Sequence, residues 1–166
     1  MRPMESFTLA ATSAAPFVLR AATSGDVSAV VDLLAADQLG AHRDGVDSDT
    51  DLAAYLAAFG AIEADPAHLL MVAESAGEIV GTMQLSFLPG LARRGALRAQ
   101  IEAVRVAESC RGSGLGGAMI GWAIDEARRR GCALVQLTSD KSRTGAHRFY
   151  RRLGFVASHE GMKLAL

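Results

Sequence analysis

Residues 111–117 read RGSGLGG, four glycines in seven positions, set between a β-like apolar run and a long helix-like one. Glycine is costly in backbone entropy and offers no side chain to pack. Its concentration here marks a place where the main chain itself must be reachable. The first N–H groups of a helix have no intrahelical partner, and the helix dipole gives that end partial positive charge. Stripped of Cβ atoms, such a helix start can close around a phosphate. A strand before the loop and a helix after it also commit this part of the chain to an α/β arrangement.

The rest of the sequence extends that arrangement in both directions. Residues 17–20 (FVLR) read as a first strand. Thr23 and Asp26 have the spacing of a capping box, and Val27, Val30, Val31 and Leu34 give an amphipathic helix over about 24–37. After the polar loop LGAHRDGVDSDTD, Ser48 or Asp49 caps a second helix with Leu52, Tyr55, Leu56 and Phe59 as its buried stripe, ending at Asp65-Pro66. The period then changes from helical to alternating. HLLMVAES and EIVGTMQLSFL form a hairpin across Ala76-Gly77, and AQIEAVRV (99–106) is a third strand after a loop holding Arg93, Arg94 and Arg98. The glycine loop leads into a helix over about 113–130, with Leu115, Met119, Trp122, Ala123 and Ala127 inward and Gly131 as its stop. ALVQLT is a strand, TGAHRFYRRL a short helix stopped by Gly154, and FVASH and GMKLAL are two last β segments. The order β-α-α-β-β-β-α-β-α-β-β describes one mixed α/β domain over residues 17–166, a central mixed sheet flanked by helices. Residues 1–16, with Arg2 as their one basic residue and no long apolar stretch, read as a disordered lead-in.

Composition excludes several functions. The chain has 166 residues, half of them hydrophobic, which suits one domain with a core. A net charge of −1 argues against nucleic acid as a partner, because such domains carry a basic excess. No apolar run approaches the roughly 20 residues of a membrane span, so no membrane partner is expected. Cys110 and Cys132 make neither a disulfide framework nor a zinc pair, and His42, His68, His147 and His159 are not spaced with one another for a metal. A cytoplasmic protein without a metal is the expectation.

Several ligands suit the glycine loop. A P-loop fails because Ala118 stands where its lysine must be. Gly112, Gly114 and Gly117 match a dinucleotide fingerprint, and Asp140 lies about where its ribose acid would. That fingerprint belongs directly after a first strand, however. Here Ala107 to Cys110 intervene, and only about 50 residues follow. A coenzyme A pyrophosphate, with Arg111 at the lip as a fixed charge, fits the pattern. A bare turn without ligand is the remaining alternative.

VAESCRGSGLGGAMIGWAIDEARRRGC resembles the acetyl-CoA-binding motif of the GNAT superfamily of N-acetyltransferases, with its R/Q-x-x-G-x-G/A signature at Arg111, Gly114 and Gly116. AHRFYRRLGF, from Ala146 to Phe155, is similar to that superfamily's next helix and turn, and the element order matches over about nine-tenths of the chain. The resemblance implies acetyl-CoA as co-substrate. It implies that the main chain of Val104, Arg105 and Val106 meets the pantetheine arm. The amides of Arg111, Gly112, Ser113, Gly114, Leu115, Gly116 and Gly117 would take the pyrophosphate. Ser142 falls near another cofactor contact. Tyr150, in the FY position, corresponds to the acid that protonates the departing sulfur; on spacing alone it reads as an apolar-face residue beside Phe149 and Leu153.

Glu102 is the base candidate. A carboxylate is unusual inside an apolar strand, alternation puts it on the face of Val104 and Val106, and burial there would raise its pKa. Some superfamily members use a glutamate on this strand; a solvated glutamate paired with Arg98 or Arg105 is the other reading. The implied function is direct acetyl transfer from acetyl-CoA to a primary amine, with a small molecule as the expected acceptor. A non-catalytic acyl-CoA sensor is the alternative. The acidic loop (Asp44, Asp47, Asp49, Asp51) suits a cationic acceptor and the arginine loop an anionic tail. Dimers are common in the superfamily, and a homodimer partner is compatible with this chain, although no stretch specifies an interface.

Overall fold

The two hydrophobic periods of the sequence sort into a sheet and the helices that cover it. The computed structural model describes residues 6–9, 16–36 and 44–166. Its strands are β1 (Ser6–Leu9), β2 (Phe17–Ala21), β3 (His68–Ser75), β4 (Glu78–Leu88), β5 (Arg98–Val106) and β6 (Leu134–Leu137), neighbours in that order within one sheet. From β1 to β5 every pairing is antiparallel. The helices are α1 (Val27–Ala35), α2 (Asp49–Ala64), the four-residue α3 (Ala92–Gly95), α4 (Leu115–Arg129) and α5 (Thr144–Arg152). This is the mixed α/β class expected from the sequence. The chain divides into two compact units, Met1–Gln136 with the sheet and Leu137–Leu166.

In the first unit, helices cover both faces of the sheet. Leu19, Met83, Leu85 and Ile101 from the strands and Leu115, Met119 and Ile120 from α4 are almost wholly buried. Each contributes on the order of 1.5–3 kcal/mol by leaving water. Against the other face, Val27 and Val31 of α1 pack with Phe59 of α2 around Leu70 and Tyr55. The expected capping devices form. Asp26 Oδ2 accepts from Thr23 N–H (2.7 Å) and Thr23 Oγ1 (2.8 Å), and Ser48 Oγ accepts from Asp51 N–H at the start of α2. The Ala76-Gly77 hairpin is a two-residue turn with both residues left-handed (φ 50° and 85°), the type I′ geometry that matches strand twist.

Three expectations change, and one loop gains detail. Residues 6–9 are not part of a loose lead-in: β1 pairs with β2 from Ser6↔Arg20 to Leu9↔Phe17, and the Phe7 ring meets Trp122 at 5.6 Å. Four residues are too few to register as a period, so only the partner strand reveals them. On α2, Leu56 is exposed while Phe59 is buried. Leu56 lies about 100° around the helix from Tyr55, off the edge of a narrow stripe. The arginine loop contains a strained turn, with Arg93 (φ 56°) and Arg94 (φ 61°) both left-handed. Finally, FVASH and GMKLAL form no strand; residues 155–166 have no regular structure, and Val156, Met162, Leu164 and Leu166 are exposed. Alternation becomes a strand only where a ladder partner satisfies its backbone. The polar loop of residues 37–43, including His42, lies outside the described residues.

Candidate active site

The glycine loop folds as a scaffolded helix start. After β5, Ala107 N–H bonds Val80 C=O (2.8 Å), a 3₁₀ turn spans Glu108–Cys110, and Arg111 N–H bonds Glu108 C=O (3.1 Å). Ser113 Oγ donates to Cys110 C=O (2.7 Å) and accepts from Leu115 N–H (3.3 Å), so this hydroxyl braces the loop from inside. The first ladder bond of α4 is Ala118 N–H to Gly114 C=O at 3.0 Å, which leaves the amides of Gly116 and Gly117 ahead of the ladder. Gly114 is left-handed (φ 87°), a conformation that costs an L-residue about 1–2 kcal/mol. A Cβ built on Gly112, Gly114 or Gly117 would meet nothing within 4 Å. The glycines are therefore not forced by crowding within the described residues; the space over the cradle is open. Arg111 is exposed at its lip. These features fit a diphosphate.

Beside the cradle, β5 is bulged. The register runs Gly81↔Val106 and Thr82↔Arg105, then resumes at Gln84↔Glu102. Met83 alone thus opposes Ala103 and Val104, and Ala103 is left-handed (φ 53°). A bulge removes one residue's main-chain groups from the ladder and turns the strand. Spare main-chain groups therefore lie among residues 103–106, where the pantetheine arm is expected. The bulge also breaks the simple alternation that put Glu102 on one face with Val104 and Val106. Glu102 is exposed, not buried, so the expected burial of its carboxylate is absent. Arg105 Nη1 donates to Val104 C=O (2.9 Å).

The second unit holds the other two candidates. Tyr150 is half-buried on α5, its ring edge-on to Phe149 (5.1 Å) and Phe155 (5.8 Å). The helix ends with Gly154 N–H on Arg151 C=O and Phe155 N–H on Tyr150 C=O, so the Tyr150–Phe155 contact is also the apolar clasp of that cap. Ser142 is exposed, and its N–H (2.9 Å) and Oγ (2.6 Å) both bond Asp140 Oδ1. Those bonds hold the Asp140 carboxyl below its ordinary range.

A model of the acetyltransferase (GNAT) family matches residues 28–155. The chain belongs to this family. An aminoalkylphosphonate N-acetyltransferase of Salmonella typhimurium is 30% identical over 141 residues, covering 85% of this chain and 86% of that protein. A glucosamine 6-phosphate N-acetyltransferase of Trypanosoma brucei brucei is 39% identical over 90 residues, 54% of this chain and 59% of that one. Among solved structures, a protein from Bacillus halodurans C-125 described as a transcriptional regulator superposes with a TM-score of 0.86 at 44% identity, covering 90% of this chain and 99% of its own.

As a GNAT acetyltransferase the chain is an acyltransferase, of a family that uses acetyl-CoA. In the GNAT sheet, sequence reasoning missed one set of polar groups. His68 Nδ1 and Ser86 Oγ lie 2.8 Å apart, and Gln136 donates to Gln100 at 2.8 Å. His68 is the first residue of β3. The available signal was a polar residue at every second position of apolar strands (Gln84 and Ser86; Gln100 and Glu102). Register was needed to align them. Of the acidic loop, the Asp51 carboxylate braces the start of α2: its Oδ2 accepts from Ser48 Oγ (2.8 Å) and Asp47 N–H (3.2 Å). Among the described residues no His, Cys, Asp and Glu cluster could hold a metal, and no helix is long and apolar enough to cross a membrane.

Proposed function

We propose that this chain is an acetyl-CoA-dependent N-acetyltransferase that moves acetyl directly to the primary amine of a small molecule. The observation that carries the reading is the open, Gly114-led cradle at the start of α4, next to the bulge of β5. Acetyl-CoA supplies an acetyl thioester. The amides of residues 111–117 would hold its diphosphate, with Arg111 adding charge, and the main chain of Val104, Arg105 and Val106 its arm. An N–H at the bulge aimed at the thioester oxygen would stabilise the oxyanion, a contribution worth roughly 10²–10³ in rate. Only the neutral amine attacks, so the ammonium must first lose a proton; Glu102 is the base proposed. The amine nitrogen then bonds the carbonyl carbon and sheds its second proton to water as the carbon–sulfur bond breaks; Tyr150 protonates the thiolate and regains its proton from solvent, with Ser142 a further cofactor contact. Direct transfer is favoured over a Cys132 thioester because burial pushes that thiol up, away from the thiolate a covalent route would need. Free cysteines also suit the cytoplasm.

The acceptors named for the two N-acetyltransferase relatives share an amine and a phosphorus oxyanion. That chemistry supports a small amine here. A steady-state thiol-release assay across a panel of amines tests the reading; turnover with one or more is the expected result. The similarity to a protein described as a transcriptional regulator favours a second reading, a domain that binds acyl-CoA without turnover. Coenzyme A binding with no thiol release on any amine would select it.

A further inference from the structure

Beyond the bulge, one face of the sheet carries three chemistries in order. The pairing there is regular: Gln84 opposes Glu102, Ser86 opposes both His68 and Gln100, and Leu88 opposes Arg98. Residues two apart on a strand share a face, roughly 7 Å from each other. Glu102, Gln100 and Arg98 therefore lead away from the bulge as carboxylate, carboxamide and guanidinium, about 13 Å from first to last. The middle row crosses four strands through the His68–Ser86 and Gln136–Gln100 contacts. Beside it, Asp65, His68 and Gln84 line a cavity of about 330 Å³ walled by Ala61 and Ile62 of α2. Hydroxyl and amide groups add little packing energy to a sheet face, and burying them requires partners. Ser86 is nevertheless buried. Among the described residues neither Glu102 nor Arg98 is drawn into an ion pair, so each charge is open to a ligand.

We infer that this face receives the acceptor and that the acceptor is an amphoteric, hydroxylated amine. Its ammonium meets Glu102, nearest the bulge. Its hydroxyls lie over the row of His68, Ser86, Gln100 and Gln136, whose imidazole, hydroxyl and carboxamides both donate and accept. Its oxyanion meets Arg98, which offers a planar fork to phosphate or carboxylate. The roughly 13 Å separates main-chain positions, and both residues carry long side chains that can close on a shorter acceptor such as a phosphorylated amino sugar. This inference rests on the acetyltransferase reading above.

The test is a thiol-release comparison of glucosamine 6-phosphate, glucosamine and a simple alkylamine, with the native chain and with Arg98→Ala and Arg98→Lys. The native chain is expected to show a KM for the phosphorylated sugar at least tenfold below that for glucosamine. Loss of one charge-assisted contact in Arg98→Ala should raise the first KM roughly 10–100-fold and leave the second unchanged. Arg98→Lys should restore part of the difference. Equal KM values for the two sugars in the native chain, or a preference that survives Arg98→Ala, would overturn the inference while leaving the acetyltransferase reading intact. So would turnover of the alkylamine alone. Thiol release with none of a broader amine panel would overturn both.

Discussion

Gly114 carries the most at the scale of a single residue. Its φ of 87° strains any L-residue, and an aspartate there would also set a negative charge against a diphosphate. Gly114→Asp is expected to weaken coenzyme A at least tenfold by calorimetry; unchanged affinity would remove the cradle as the binding site. Tyr150 has two jobs to separate. Its ring clasps the α5 cap against Phe155, and its hydroxyl is the proposed acid. Tyr150→Phe keeps the ring, so kcat should fall on the order of 10²-fold with coenzyme affinity and Tm nearly unchanged. An unaltered kcat would retire the acid role. For Glu102→Gln, the loss of rate should be greatest at low pH, where more of the amine is protonated; a pH-independent loss in the rate profile would mean positioning rather than proton removal. The residue types at these positions were legible in the sequence. The exposure of Glu102 was not, because it depends on what the other elements leave uncovered on that face of the sheet.

At the scale of elements, turn chemistry was readable and length-limited strands were not. The Ala76-Gly77 turn was visible as a hairpin, but its sequence is imperfect, since alanine is left-handed there at a cost asparagine largely avoids. Ala76→Asn should stabilise the protein by about 0.5–1 kcal/mol, raising Tm by about 1–4 °C with no change in denaturant m-value. A lower Tm would show that the turn is not type I′ in solution. The four-residue β1 escaped notice because a strand so short has no period of its own, while residues 155–166 have the alternating pattern and no ladder. Pattern states what a segment could bury; pairing decides whether it does.

For the whole molecule, Arg20 ties three elements together. Its guanidinium grips both oxygens of Asp26, at 2.8 and 2.9 Å, and its Nε reaches Glu74 on β3 at 3.0 Å. The hydrogen bonds from Arg20, joined by those from Thr23 and opposed by burial, bring the Asp26 carboxyl down from 3.8 to about 2. Asp26 is therefore deprotonated in the fold at pH values where the unfolded chain protonates it. Its contribution, on the order of 2 kcal/mol, is complete above the unfolded value near 4 and disappears as pH falls towards 2. Glu126 adds in the same direction: burial pushes its carboxyl up, but Arg129 and Arg130 outweigh that and hold it below the ordinary range. Urea unfolding at pH 7, 4, 3 and 2 should show stability dropping most between 4 and 2, and Asp26→Asn should be weaker at pH 7 and flatter across that window. Parallel pH profiles for the two proteins would exclude Asp26 as the source.

The sequence by itself determined the class of fold, the glycine loop at the start of α4, the capping residues and the family's motifs, because each is a local property of a few consecutive residues. Backbone conformation, a missing Cβ or a hydrophobic period is written where it acts. Tertiary structure alone decided which strands pair, where β5 bulges, that Glu102 is exposed, and that polar residues from four strands fall into one row. Those outcomes depend on register between segments far apart in the chain, where a shift of one residue exchanges the faces of a strand.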